Sequence, residues 1–176
     1  MKIGTFWQRI DDRSTWSFEC APQMVESANR YMPGVEVVHL TDGASEPIPG
    51  TTVCRLDGQM PMAVRRMAHH AACEGDWLFV DTDIIFRQDV SGVFAEDFDI
   101  ALTDRVGTSM QGSEYAEMMP YNMGVVFSRA PAFWAEVKRR LLAMPLGYQN
   151  WEGDQRVVCE MVMRGLWGNI KVLPGL

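Results

Sequence analysis

The chain has 176 residues, of which 47% are hydrophobic and 22% charged, and its formal net charge is -7. That length and composition suit one folded domain rather than a disordered chain. The negative balance opposes nonspecific binding to nucleic acid or an anionic membrane, so neither is an expected partner.

Lys2–Trp7 reads as a first strand. Residues 21–34, "APQMVESANRYMPG", read as a helix that takes Pro22 in its first turn, where a missing N–H costs nothing. Met24, Ala28, Tyr31 and Met32 form its apolar stripe, and Pro33-Gly34 stops it. Val35–Leu40 reads as a second strand opening onto Thr41-Asp42-Gly43, and Ser45–Gly50, with two prolines, as a loop. Strand, helix, strand in this order is a βαβ signature. Gln59–Cys73 is a second helix, with Met62, Met67, Ala68, Ala71 and Ala72 inward and Arg65, Arg66, His69 and His70 on the remaining face. Trp77–Val80 is a short, wholly apolar strand, of the kind found in the middle of a parallel sheet.

Asp99–Leu102 is a further strand. Gly107–Pro120, rich in Met, Ser and Gly and without periodicity, reads as a loop or lid. Asn122–Ser128 is another strand, and Pro131–Met144 a helix with Phe133, Trp134, Val137, Leu141 and Met144 along one side. Its basic trio, Lys138-Arg139-Arg140, reads as a solvated face. Gly153-Asp154-Gln155 opens a last helix with an apolar face of Val157, Val158, Met161 and Val162, and Ile170–Leu173 is a final strand. The order predicts a Rossmann-like, three-layer α/β domain over residues 1–176 with a mostly parallel, mixed sheet. Ligands in such sheets bind beyond the carboxyl ends of the strands.

Several chemistries find no support. Cys20, Cys54, Cys73 and Cys159 are widely spaced with no CxxC, which suits free thiols in a reducing compartment rather than a zinc site or a disulfide scaffold. No apolar signal region opens the chain and no run is long enough to span a membrane, so a cytoplasmic location is expected. A Walker loop, a G-x-G-x-x-G after the first strand and a G-x-S-x-G elbow are all missing. His69-His70 are adjacent on a helix and point about 100° apart, so they do not make a metal pair.

The conspicuous feature is Asp81-Thr82-Asp83, directly after the apolar strand. Residues i and i+2 share a face in a strand and can converge in a turn. Two close carboxylates require a shared proton or a cation between them. Mg²⁺ and Mn²⁺ suit such oxygens, taking one or two carboxylates and completing their shell with phosphate and water. The plainer alternative is that Asp81 caps a turn and Asp83 pairs with Arg87 or Arg105.

Taken with "DIALTDR" (Asp99–Arg105), "YNMGVVFSR" (Tyr121–Arg129) and "GDQRVV" (Gly153–Val158), the segment "WLFVDTDIIF" resembles the nucleotide-diphospho-sugar glycosyltransferases of the GT-A fold. The likeness is to their glycogenin-like and galactosyltransferase-like branch, and it runs over nearly the whole chain. It implies transfer of a hexose from a nucleotide diphosphate sugar, such as a UDP-sugar, to an acceptor hydroxyl, dependent on Mn²⁺ or Mg²⁺ and retaining. Asp81 and Asp83 would hold the metal and the donor diphosphate. Asn122 and Gly124 would lie beside the donor sugar, and Asp154 and Gln155 would meet the sugar or the acceptor. Arg65 would stand near the donor phosphates, and Thr5, Trp7 and Thr41 at the first two strand ends would line base and ribose.

Members of that branch continue to a late histidine that serves as a third metal ligand. Here the histidines are His39, His69 and His70, all earlier in the chain. Water, another side chain, a second subunit in a homodimer, or a further C-terminal segment would then complete the site. The acceptor, whether glycan, lipid-linked sugar or protein, is not readable. Structural readings stand beside these roles: an Asx turn for Asn122, a helix cap for Asp154, a packing contact for Gly124, a solvated face for Arg65 and Gln155, and core for Trp7. A nucleotidyltransferase-like enzyme and a non-catalytic nucleotide-sugar or glycan-binding protein are the rival functions.

Overall fold

The computed structural model describes residues 1–10, 15–105, 111–150 and 152–174. The strands are β1 (Lys2–Phe6), β2 (Glu36–Thr41), β3 (Thr52–Arg55), β4 (Trp77–Val80), β5 (Ile100–Asp104), β6 (Tyr121–Ser128) and β7 (Ile170–Leu173). The helices are α1 (Thr15–Tyr31), α2 (Met62–Ala72), α3 (Glu114–Met118), α4 (Pro131–Leu142), α5 (Leu146–Asn150) and α6 (Gly153–Met163). The strands form one sheet in the order β3-β2-β1-β4-β6-β5-β7. Every neighbouring pair is parallel except the two made by β6, which runs antiparallel to β4 and β5. The expected three-layer α/β architecture is the observed one.

Period-two alternation divides the core into two halves. Trp77 and Phe79 of β4, with Val38, Leu40, Ile100 and Leu102, face α2, α4 and α6. Leu78 and Val80, with Ile3, Val37, Ala101 and Phe127, face α1 on the other side. A strand buried on both faces needs apolar residues at every position, which is why β4 reads as an unbroken apolar run.

Several elements differ from the sequence reading. Helix α1 begins at Thr15, so Pro22 lies inside it rather than in its first turn. The helix gives up one backbone hydrogen bond there but seats Ala21, Met24, Val25 and Ala28 in the core. Tyr31, expected in the apolar stripe, is exposed. The edge strand β3 was not expected, because its solvent-facing residues carry no hydrophobic pattern. Part of the supposed lid is α3, capped by Ser113 Oγ, which accepts from Ala116 N at 3.1 Å; residues 107–110 of that stretch lie outside the described residues. The helix α5 was also unexpected.

The polar face assigned to α2 is corrected as well. Arg65, His69 and His70 are buried, because α2 packs against α4, α5 and α6 as well as the sheet. His70 stacks on Phe79 with ring centroids 3.7 Å apart. Burial first, and then the charges of Arg66 and His69, hold it well below its ordinary pKa. Burial also lowers the pKa of His39 and His69. The unfolded chain therefore takes up protons that the native state refuses as pH falls below the unfolded value of 6.5. Stability is expected to fall between about pH 6.5 and 5, and thermal melts of His70→Phe should show a shallower fall than wild type.

Candidate active site

A cleft of about 850 Å³ opens at the carboxyl ends of the parallel strands. On one side lie Phe6, the last residue of β1, and Trp7 and Gln8 just past it; on the other lie Arg105, Tyr115 and Gln155. Between them stand Asp81, Thr82, Asp83, Arg66, Asn122 and Asp154.

The β4 strand ends at Val80 because the chain turns there, with Ile84 N reaching Asp81 O at 3.4 Å. On the neighbouring β6 the register slips: Leu102 pairs with Val126, but Thr103 pairs with Asn122. Met123, Gly124 and Val125 are thus left without partners on β5, a bulge of the kind that re-aims side chains beside active sites. The freed carbonyl of Gly124 accepts from Asp81 N at 3.0 Å. A Cβ on Gly124 would come within 3.0 Å of Asp81 Oδ2 and 3.3 Å of Asn122 Oδ1. The groups that a side chain here would crowd are thus the Asp81 carboxylate and the Asn122 amide, not a helix packed behind the strand. Asn122 Oδ1 accepts from Gly124 N at 3.0 Å, the expected Asx turn, and the same side chain lines the cleft.

The electrostatic centre is Arg66, which the sequence reading left on the outer face of its helix. Its Nε donates to Asp154 Oδ2 at 2.6 Å, Nη2 donates to the same oxygen, and Nη1 lies 3.7 Å from Asp81 Oδ1. Burial works against the guanidinium charge, but Asp154 and then Asp81 more than offset it and hold its pKa above the ordinary value. Asp154 is 1% exposed, and its Oδ1 accepts from Gln155 N at 2.8 Å. Asp154 does not cap α6: that position belongs to Glu152, which takes a left-handed φ of 61°. The Asp81 side chain is half exposed, and the hydration it does lose among the surrounding groups, then the charges of Asp83 and Asp154, push it up to about 6, with Arg66 pulling the other way. Asp83 is exposed and has no cationic partner among the described residues, so neither Arg87 nor Arg105 neutralises it.

Of the residues singled out from sequence, Trp7, Asp81, Asp83, Asn122, Asp154 and Gln155 line the cleft. Trp7 is at the same time core, packed on Phe18 with its indole N–H donating to Ser17 Oγ at 3.1 Å. Thr5 and Thr41 are fully buried one layer below the surface. Arg65 turns away from the cleft. Its guanidinium donates to the carbonyls of Leu56 and Gly58, which ties down the loop between β3 and α2. Arg66, Gln8, Arg105, Tyr115 and Glu152 were missed as cleft residues; the only signal for Arg66 was its place beside Arg65.

Between the cleft residues Glu152 and Asp154, the buried Gly153 has no room for a side chain. A Cβ there would lie 2.2 Å from Tyr148 O and 2.6 Å from Leu141 Cδ1. Gly153→Ala is expected to destabilise the fold by about 1–3 kcal/mol through overpacking, read as a lower urea midpoint at unchanged m.

The fold is that of solved glycosyltransferases. The apo-form glycosyltransferase GlyE of Streptococcus pneumoniae TIGR4 matches with a TM-score of 0.63 and 17% identity, over 98% of this chain and 44% of its own. A glycosyltransferase involved in glycosylation of the major capsid of PBCV-1 matches at 0.60 and 16%, over 99% of this chain and 82% of its own. An active-site mutant of LgtC matches at 0.56 and 14%, over 98% of this chain and 72% of its own. No family model matches the chain, and no curated protein sequence does.

Proposed function

We propose that the chain is a metal-dependent glycosyltransferase of the GT-A fold. It moves a hexose from a nucleotide diphosphate sugar, a UDP-sugar, to an acceptor hydroxyl with retention at the anomeric carbon. The observation that carries this reading is the cleft floor, where Asp81 and Asp83 meet Asn122, Arg66 and Gln155 beyond the end of β4. The glycosyltransferases that share the fold support it.

The charge of the cleft bears on the metal. Asp81, Asp83, Glu152 and Asp154 line it against Arg66 and Arg105, so acid outweighs base and a diphosphate entering alone is repelled. Among the described residues no group of three or more His, Cys, Asp and Glu side chains comes together as a cage. Asp154 is committed to Arg66, and the three histidines are buried in the body of the protein. The donor set is thus two hard carboxylates, which fits an Mg²⁺ or Mn²⁺ ion that completes its shell with water and diphosphate. Asp81 and Asp83 would hold it. When bound, it supplies positive charge to the departing diphosphate.

The remaining residues orient and support. Asn122 keeps its amide Nδ2 available to donate to a sugar hydroxyl, because Oδ1 is taken by Gly124 N. The Gln155 amide faces the cleft on the Tyr115 side and serves donor or acceptor there. Asp154 acts through Arg66, and Thr5 and Thr41 act through the strands beneath the nucleoside. The acceptor, a glycan, lipid-linked sugar or protein hydroxyl, enters along the Arg105–Tyr115 wall.

Calorimetry with nucleoside diphosphates and their sugars, in Mn²⁺ and then in excess chelator, tests the reading. Binding is expected to require the metal and to disappear in Asp83→Ala. Failure of every nucleotide to bind the wild type in Mn²⁺ would sink the proposal.

A further inference from the structure

Away from the cleft, the edge strand β3 carries the exposed thiol of Cys54. Its Sγ lies 4.0 Å from Nδ1 of His69 on α2. The imidazole is 1% exposed, and its other nitrogen, Nε2, is 2.8 Å from the carbonyl oxygen of Thr41. A carbonyl only accepts, so Nε2 carries the hydrogen. In the neutral ring Nδ1 then presents its lone pair to the thiol. Nucleophile, base and a third group that fixes the base thus stand in the order that thiol chemistry uses. Contacts of this kind are commonly long in a resting site and tighten when a reactant arrives.

The other cysteines lack this arrangement. Burial pushes the Cys73 thiol up to about 12. Cys159 is buried, is raised by the same cause, and donates to Tyr121 O at 3.7 Å. Cys20 is half-buried, with no imidazole beside it among the described contacts. Cys54 belongs to neither half of the core, so packing does not explain a thiol there. Nor, among the described residues, does His69 Nδ1 have a hydrogen-bond partner other than this sulfur.

We propose that Cys54 and His69 form a reactive thiol site for exchange with small disulfides, independent of the cleft. As the Cys54 sulfur attacks one sulfur of the incoming disulfide, its proton passes transiently to His69 Nδ1, a ring that burial keeps neutral at rest and disposes to give the proton up again at once. A new S–S bond forms to Cys54, the old S–S bond breaks, and the released half leaves as a thiolate that takes the proton back from His69. The Cys54 thiol is oxidised to a mixed disulfide and the small disulfide is reduced by the same two electrons. Reversal by excess small thiol regenerates the protein.

Dithiodipyridine, an uncharged disulfide whose leaving thiopyridone absorbs, tests this on the folded chain. One equivalent should react in a fast phase, map to Cys54 by peptide mass, and vanish in Cys54→Ser. His69→Gln keeps a donor for Thr41 O but removes the base, and should slow labelling of Cys54 by at least about tenfold. The proposal is overturned if Cys54 in the native wild type reacts no faster than Cys20. It is equally overturned if folded His69→Gln reacts as fast as wild type. Should that variant fail to fold, the deciding comparison is native against urea-unfolded wild type, where activation requires the native Cys54 to be the faster.

Discussion

Replacing Arg66 with methionine is expected to cost about 3–5 kcal/mol of stability, the usual penalty for leaving a buried charge without its partner. Asp154 is the charge so abandoned: it is 1% exposed, and both Arg66 donors that reach it end on the same carboxylate oxygen. The pair itself is a different matter. Two charges removed together cost far less than one, since the remaining space can be filled by apolar packing. Arg66→Met combined with Asp154→Leu should therefore recover most of the loss, and urea titrations of the two single variants and the double variant would measure the coupling. If the double variant loses the sum of the single losses, the pair does not hold the cleft together. On the proposed function both Arg66 variants should also lose sugar transfer, because Arg66 places Asp154 and stands 3.7 Å from Asp81.

Much of this arrangement was legible because polarity broke an apolar pattern. The unbroken run Trp77–Val80 pointed to a central strand, which put the Asp pair directly behind it at a strand end, the zone where such sheets take ligands. Asn122 and Gly124 were legible for the same reason, as a polar residue and a glycine inside an apolar strand. What could not be read was rotation. Arg65 and Arg66 differ by about 100° around α2. Which of them meets the cleft depends on α4, α5 and α6 packing over that helix, information that no local pattern carries. The same packing buries His69 and His70 against a polar expectation. Strand β3 has its residues turned largely to solvent and thus no periodicity to reveal it. The bulge in β6 is a tertiary event, visible only once β4 and β5 are both paired to that strand.

Divalent-cation binding is expected to rise with pH through about 6 and level off above it, because Asp81 must lose its proton before it can act as a ligand. The sign follows from the environment. Loss of hydration and the neighbouring charges of Asp83 and Asp154 favour the protonated form of Asp81, and Arg66 opposes them. A proton and a cation then compete for the same oxygens, and below the midpoint affinity should fall about tenfold per pH unit. Two substitutions move the midpoint in opposite directions. Asp83→Asn removes a like charge, so the midpoint shifts to lower pH, while the plateau affinity drops because a ligand has gone. Arg66→Met removes the opposing cation, so the midpoint shifts to higher pH. Folding stability carries the same group with its own sign. A carboxyl raised in the native state favours folding at low pH, and that contribution is lost as pH rises through about 6. The buried histidines act the other way over the same window, so Asp81→Asn and His70→Phe should tilt the pH–stability profile in opposite senses. Mn²⁺ titrations by calorimetry at a series of pH values on wild type, Asp83→Asn and Arg66→Met decide the matter. A midpoint near the ordinary carboxylate value in all three would mean that Asp81 does not share its charge with this cluster.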